Sequence, residues 1–222
     1  MKSADVRYGL AIAVAAAAGA VLLTACGGDS GSKPLSLSGL TKTADGIPDA
    51  GQDTCPLPYD IAKAAKAAGL DGKAGPGPAK AADGPAVATG EGGRRAKPNS
   101  PFGQNPGALV TCVYHIGEED VEVHTVATGK PLALSPLTPV VQRYAAVDLG
   151  QLGNYMHQAT STKPGGAPVT TVNGSASSVH LELDGDGDAY LLVGIGAPEA
   201  GSPARDGQRT TALAKALAAQ LP

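Results

Sequence analysis

Apolar and polar residues alternate with a period of two in two parts of the chain, and this pattern predicts two β-hairpins. The first hairpin comprises residues 109–116 and 121–128, and the second comprises residues 179–183 and 191–195. A short strand over residues 169–172 precedes the second hairpin. We therefore expect a sheet of about four to five strands.

The turn geometry of each hairpin decides which side chains are buried, because a shift of one residue exchanges the two faces of a strand. In the first hairpin the turn is expected over residues 117–120. In the second, a three-residue loop over residues 185–187 brings the apolar residues of both strands to one face. A two-residue Asp-Gly turn would place Tyr190 and Leu192 inward instead. We favour the three-residue loop.

Apolar residues recur at helical spacing between and around these strands. Helices are expected over residues 61–68, from Thr138, from Asp148 and from about Asp206 to Leu221. Asp60 and Asp148 are suitable N-caps, and Pro139 suits the first turn of a helix. Gly150 and Gly153 weaken the third helix, so we expect two short helices with a break near Val147.

The order of these elements is helix, hairpin, helices, strands and helix, which is typical of an α+β fold. We predict one domain over residues 55–222, with an antiparallel sheet in two hairpins and the helices packed on one face. Residues 71–107 are rich in Gly and Pro, and they are expected to form a long exposed loop. Arg94, Arg95 and Lys97 form a small basic cluster there, either solvated loop charge or a site for an anionic polymer.

The N-terminus has the parts of an export signal. A basic start with Lys2 and Arg7 is followed by an apolar run over residues 9–23, which is shorter than a membrane-spanning helix needs. The run ends in Leu23-Thr24-Ala25-Cys26, which resembles the bacterial lipobox. The resemblance implies cleavage after residue 25 and lipidation of Cys26; the alternative is an ordinary signal peptide.

A lipidated Cys26 would anchor the protein to the outer face of the cytoplasmic membrane, since two or three acyl chains hold a protein stably. Residues 1–25 are then a signal peptide. Residues 26–54 are rich in Gly, Ser, Asp, Pro and Thr, and they are expected to form a flexible tether.

Two further cysteines, Cys55 and Cys112, remain once Cys26 is assigned to the anchor. An even pair in an exported chain predicts one disulfide. It would fix the first helix across the inner face of the first hairpin. A redox pair or a pair of metal ligands is the alternative, although no Cys-x-x-Cys spacing supports it.

Three alternating carboxylates, Asp184, Asp186 and Asp188, resemble the opening of a calcium loop. Oxygen ligands at alternate positions suit Ca²⁺, but an EF-hand would need Gly at position 189 and Glu at position 195. The sequence has Ala189 and Ile195 there. We therefore weigh a cation site against a plain polar turn and favour the turn.

His115, Glu122 and His124 form a second candidate cation site on the outer face of the first hairpin. If the hairpin is centred between residues 118 and 119, His115 lies opposite Glu122 and His124 lies diagonally beside them. Cross-strand charge pairing on a solvated face explains the same residues and is favoured over a metal site.

The net charge and the motif content of the sequence limit the functions that we expect of the protein. The formal net charge is −3 and no basic patch stands out, so no nucleic-acid partner is predicted. Hydrolase, Walker and zinc-protease motifs are absent from the sequence, so neither a cofactor nor an enzymatic activity is predicted.

The motifs Cys55-Pro56-Leu57-Pro58 and Thr111-Cys112-Val113-Tyr114, together with the lipobox, resemble those of small actinobacterial lipoproteins of uncharacterised activity. The resemblance implies a membrane-anchored protein and no particular chemistry. We expect a non-catalytic domain that binds an envelope protein or a cell-wall polymer through a sheet face or the basic loop. A substrate- or lipid-binding lipoprotein and an envelope enzyme are the alternatives.

Overall fold

The computed structural model describes residues 34–80, 86–146, 148–196 and 204–222. The helices are α1 (Leu37–Gly46), α2 (Ile61–Ala67), α3 (Pro101–Gln104), α4 (Thr138–Ala145), α5 (Leu149–Thr160) and α6 (Gly207–Ala218). The strands are β1 (Ala74–Pro76), β2 (Ala88–Gly92), β3 (Gly107–Ile116), β4 (Glu119–Thr128), β5 (Val169–Thr170), β6 (Ala176–His180) and β7 (Asp188–Ile195). Within these ranges, no helix is long and apolar enough to cross a membrane.

The strands form one antiparallel sheet in the order β1-β3-β4-β7-β6-β5, with β2 paired to β3 beside β1. The α+β class and the antiparallel sheet are therefore confirmed. The described residues contain seven strands rather than four to five. The additional strands, β1 and β2, lie in the segment that we predicted to be an exposed loop.

Helices cover both faces of the sheet, and the prediction that they pack on one face is wrong. Helices α1, α2 and α6 bury one core against the sheet, while α3, α4 and α5 bury a second core on the other face. In β7, Leu191 and Val193 belong to the first core, whereas Tyr190 and Leu192 belong to the second. A strand buried on both faces has a continuous apolar sequence, as residues 189–193 do.

The prediction of a flexible tether is wrong for residues 34–54, which instead begin the folded domain. Ser36 caps α1 by accepting a hydrogen bond from the Gly39 N–H. Leu40, Ala44 and Ile47 are buried in the first core. The apolar residues of this segment are few, but they recur at the spacing that one helical face requires.

Close packing against α1 explains why a Gly-rich segment can form strand β2. A Cβ atom at Gly90 would lie 2.6 Å from the Ala44 carbonyl oxygen. Glycine therefore lets the helix and the strand approach each other at this point. The same residues that suggested a loop are needed here for packing.

The two hairpins differ from prediction in register but not in face. Gly117 and Glu118 alone form the first turn, so that Ile116 pairs with Glu119 and His115 pairs with Asp120. In the second hairpin Val179 pairs with Leu191, and the loop covers residues 181–187 rather than 185–187. Both shifts are even, so the expected faces are kept.

The predicted helices after residue 60 are confirmed. The Asp60 carboxylate accepts a hydrogen bond from the Lys63 N–H, and the Asp148 carboxylate accepts one from the Gln151 N–H. Helix α4 ends at Ala145 and α5 begins at Leu149, so the predicted break is present.

Candidate ligand-binding groove

A groove of about 670 Å³ lies between the C-terminal half of α6 and the end of β6. Its apolar lining includes Leu35, Val179, Leu181, Ala218 and Leu221. Glu182 and Lys215 are exposed and supply opposite charges to the lining. The groove therefore combines an aliphatic surface with two fixed charges of opposite sign.

The groove exists because the edge of the sheet is covered unevenly. Strand β5 pairs only with Ser177 and Ser178 of β6. Beyond them, the loop over residues 163–168 takes the place of a strand, and the Gly165 N–H donates to the His180 carbonyl at 2.9 Å. This loop and α6 leave space above Val179 and Leu181.

Leu35 ties the start of the described chain to this region. Its N–H donates to the Pro222 carbonyl at 3.0 Å, and its own carbonyl accepts from the Asp184 N–H at 2.8 Å. Its side chain is buried in the first core. The groove is consequently built from both ends of the described domain.

A hydrogen-bonded pair, His180 with Asp188, holds the loop that forms one wall of the groove. His180 Nε2 lies 2.8 Å from Asp188 Oδ1, and both side chains are almost buried. His180 Nδ1 lies 2.7 Å from the Thr162 carbonyl, while Asp188 Oδ2 accepts from the Ala133 N–H. The imidazole also stacks on the Tyr190 ring with centroids 4.4 Å apart.

The candidate calcium ligands do not converge on one point. Asp188 is directed to His180 and Ala133, as described above, whereas Asp184 and Asp186 lie at an exposed depression beside α1, near Lys42 and Asp45. The described residues contain no group of three or more His, Cys, Asp or Glu side chains placed to hold a metal ion. Asp188 thus has a structural role that its sequence neighbours do not share.

The second candidate cation site is divided by the register of the first hairpin. His115 pairs with Asp120 instead of Glu122, and its Nδ1 lies 3.1 Å from the Gly77 carbonyl oxygen. Glu122 and His124 stay together, with 3.1 Å between Glu122 Oε2 and His124 Nε2. Arg143 from α4 also contacts Glu122, at 2.5 Å.

This pairing affects the Glu122 carboxyl. Its partial burial by itself raises the pKa, but hydrogen bonding and charge from His124 and then charge from Arg143 outweigh burial. The pKa of Glu122 consequently lies below its ordinary value. The arrangement is a charge network between the sheet and α4 rather than a solvated face.

The predicted disulfide between Cys55 and Cys112 is confirmed, with 5.6 Å between the Cα atoms. Cys112 is fully buried in the first core, and Cys55 packs against that core. Cys26, the expected lipidation site, lies outside the described residues.

The basic cluster is divided between structural and exposed positions. Arg95 donates to the carbonyls of Ala44 and Ile47, and its Nε lies 2.6 Å from Asp49 Oδ1. Arg94 Nε lies 4.0 Å from Asp45 Oδ1. Arg95 therefore closes the end of α1 and is not available to an anionic polymer.

Sequence reasoning missed the groove and the His180–Asp188 pair. The groove depends on contacts between segments far apart in the chain, and no linear motif encodes them. A signal for the pair was present, because His180 stands in an otherwise buried strand, where an ionisable side chain needs a partner. Comparison with protein-family models, curated proteins and solved structures finds no match to the chain.

Proposed function

We propose that this protein is a lipid-anchored extracytoplasmic binding domain that holds an amphipathic ligand in the groove beside α6. The observation that carries the proposal is the groove itself. Its volume falls in the range of small-molecule sites, and its lining is largely apolar with few charges. An aliphatic surface suits the hydrocarbon part of a ligand, and Lys215 and Glu182 suit a polar head.

The groove is a better binding surface than a face of the sheet or the basic loop. Helices pack on both faces of the sheet, so neither face is open to a partner along its length. The basic loop uses Arg95 to hold α1. The groove, by contrast, is open, and Ala218, Ala219 and Leu221 of its lining are partly or fully exposed.

The lipobox supports access to membrane-derived ligands. Residue numbers 26 and 35 differ by nine, so at most about 32 Å of extended chain separates Cys26 from Leu35. A lipidated Cys26 would be joined to Leu35, one residue of the groove lining, by a chain of at most this length. This short connection favours a ligand that is found at or near a lipid surface.

A non-catalytic role is supported by the chemistry of the groove. Its described lining contains no Ser, Thr, Cys or Tyr that could act as a nucleophile. Both ring nitrogens of His180, the histidine of the lining, already face acceptors within the protein. The described lining thus offers contacts for binding and no hydroxyl or thiol nucleophile beside a free histidine base.

Binding of anilinonaphthalene sulfonate, with displacement by lauric acid, tests the proposal. Ala219 is exposed in the lining, so Ala219→Trp fills the groove without disturbing the core. We expect this variant to bind the probe at least about tenfold more weakly. Ala67→Trp, at an exposed position on α2, is the matched control and should bind normally.

Two results would contradict the groove as the binding site. One is a wild-type protein from which lauric acid displaces no probe. The other is equal affinity of the Ala219→Trp and Ala67→Trp variants for the probe.

A further inference from the structure

A second cavity, of about 180 Å³, lies between α5 and the segment that follows β5. Helix α5 contributes three primary amides to it, from Gln151, Asn154 and Gln158. These residues are spaced by three and four positions, so their side chains follow one face of the helix. We call this cavity the amide pocket.

The three amides are available to a ligand. All three residues are exposed, and within the described chain none of their side-chain amides makes a hydrogen bond to another residue. Each amide offers two N–H donors and one carbonyl acceptor. Together they present donors and acceptors along a line, without any fixed charge.

The amide pocket and the helix that supplies its amides lack Asp, Glu, Lys and Arg. Helix α5 contains no Asp, Glu, Lys or Arg over residues 149–160, although charged residues make up 17% of the chain. The lining of the amide pocket contains none either. An exposed helix commonly carries charged side chains on its solvent face. In α5 primary amides occupy these positions instead, which indicates uncharged hydrogen-bonding partners.

The opposite wall is held rigid by its own hydrogen bonds. Thr170 Oγ1 lies 2.6 Å from Thr211 Oγ1, and Thr171 Oγ1 donates to Asn173 Oδ1 at 2.8 Å. Tyr155 and Val172 add apolar surface to the lining. The pocket consequently has hydrogen-bonding groups on one side and apolar contact close by.

We infer that the amide pocket binds a single neutral sugar unit. Each sugar hydroxyl both donates and accepts, which matches primary amides, and the CH groups of the ring match Tyr155 and Val172. A charged ligand would find no side chain of opposite charge in the lining and would lose its hydration without compensation. The site differs in place and chemistry from the α6 groove, and the inference does not depend on the function proposed for that groove.

Amide resonances of the full ¹⁵N-labelled chain report directly on this site. We expect titration with glucose or N-acetylglucosamine to give saturable shifts of the side-chain amide signals of Gln151, Asn154 and Gln158. Gln151→Leu and Gln158→Leu should each weaken binding at least about tenfold, since both keep the size of the side chain and remove its polar groups. Gln104→Leu, at an exposed position on α3, is the matched control and should leave the affinity unchanged.

Three outcomes would overturn the inference. The first is that neither sugar gives saturable shifts at these amides. The second is that the α5 variants bind as tightly as the Gln104→Leu control. The third is that acetate shifts the same signals with equal affinity, because the site would then not select neutral ligands.

Discussion

Arg95 shows how one side chain can hold a whole segment in a defined conformation. Its guanidinium donates to two carbonyl groups at the end of α1 and pairs with Asp49. The last carbonyls of a helix have no partner within the helix, so a cation at this position satisfies them and opposes the helix dipole. In the sequence the same arginine belongs to a Gly-rich, basic stretch that is typical of a solvated loop.

We expect the loss of Asp188 to destabilise the fold more than the loss of any other acidic residue in or next to the loop between β6 and β7. Asp188→Ala leaves the His180 imidazole and the Ala133 N–H without their acceptor in a nearly buried place. Leaving two nearly buried donors without an acceptor costs about 3 kcal/mol in free energy of unfolding. Urea denaturation of the purified chain measures this loss.

Asp186→Ala is the control for that experiment, because Asp186 is exposed in the same loop. It should change the free energy of unfolding by no more than about 0.5 kcal/mol. Equal losses in the two variants would show that the His180–Asp188 pair does not stabilise the fold.

Replacement of a glycine by alanine is expected to have opposite effects on stability in strand β2 and in helix α5. Gly90 lies in β2 where α1 crosses it, and Gly153 lies on the exposed face of α5 with nothing within 4 Å of a Cβ atom. Gly90→Ala should reduce the free energy of unfolding by about 1–3 kcal/mol, because its Cβ would clash with the backbone of α1. Gly153→Ala should increase it by about 0.5–1 kcal/mol through helix propensity.

Thermal and urea unfolding of the two variants would test the packing of α1 on the sheet. A neutral or stabilising Gly90→Ala substitution would mean that residues 37–46 do not pack against β2. Gly153→Ala serves as the internal reference for a change from Gly to Ala without a steric clash.

Only a short stretch of sequence separates Cys26, the expected anchor, from the folded domain. We predict that the protein extracted from host membranes begins at Cys26 and carries a diacylglyceryl group, and that Cys26→Ser abolishes this modification and membrane retention. Intact mass measurement, with membrane fractionation of both forms, checks this. A soluble wild-type protein with an unmodified Cys26 would contradict the lipoprotein assignment without affecting the groove.

Local patterns in the sequence were sufficient for several features of this protein. Helices α2, α4, α5 and α6, both hairpins and the faces of their strands follow from periodicity and caps, which are encoded by neighbouring residues. The Cys55–Cys112 disulfide follows from the parity of the cysteines once Cys26 is set aside. Each of these inferences needs only residues that are close in the chain or a count of residue types.

Only the tertiary structure decided the features that depend on distant segments. Burial on both faces of β7, the packing of α1 on β2, and the hairpin registers that separate His115 from Glu122 all arise from contacts that local patterns do not specify. The groove is the clearest case, since Leu35, Val179 and Leu221 meet there from three separate parts of the chain. Its shape depends on how the elements pack, and packing is a property of the folded molecule as a whole.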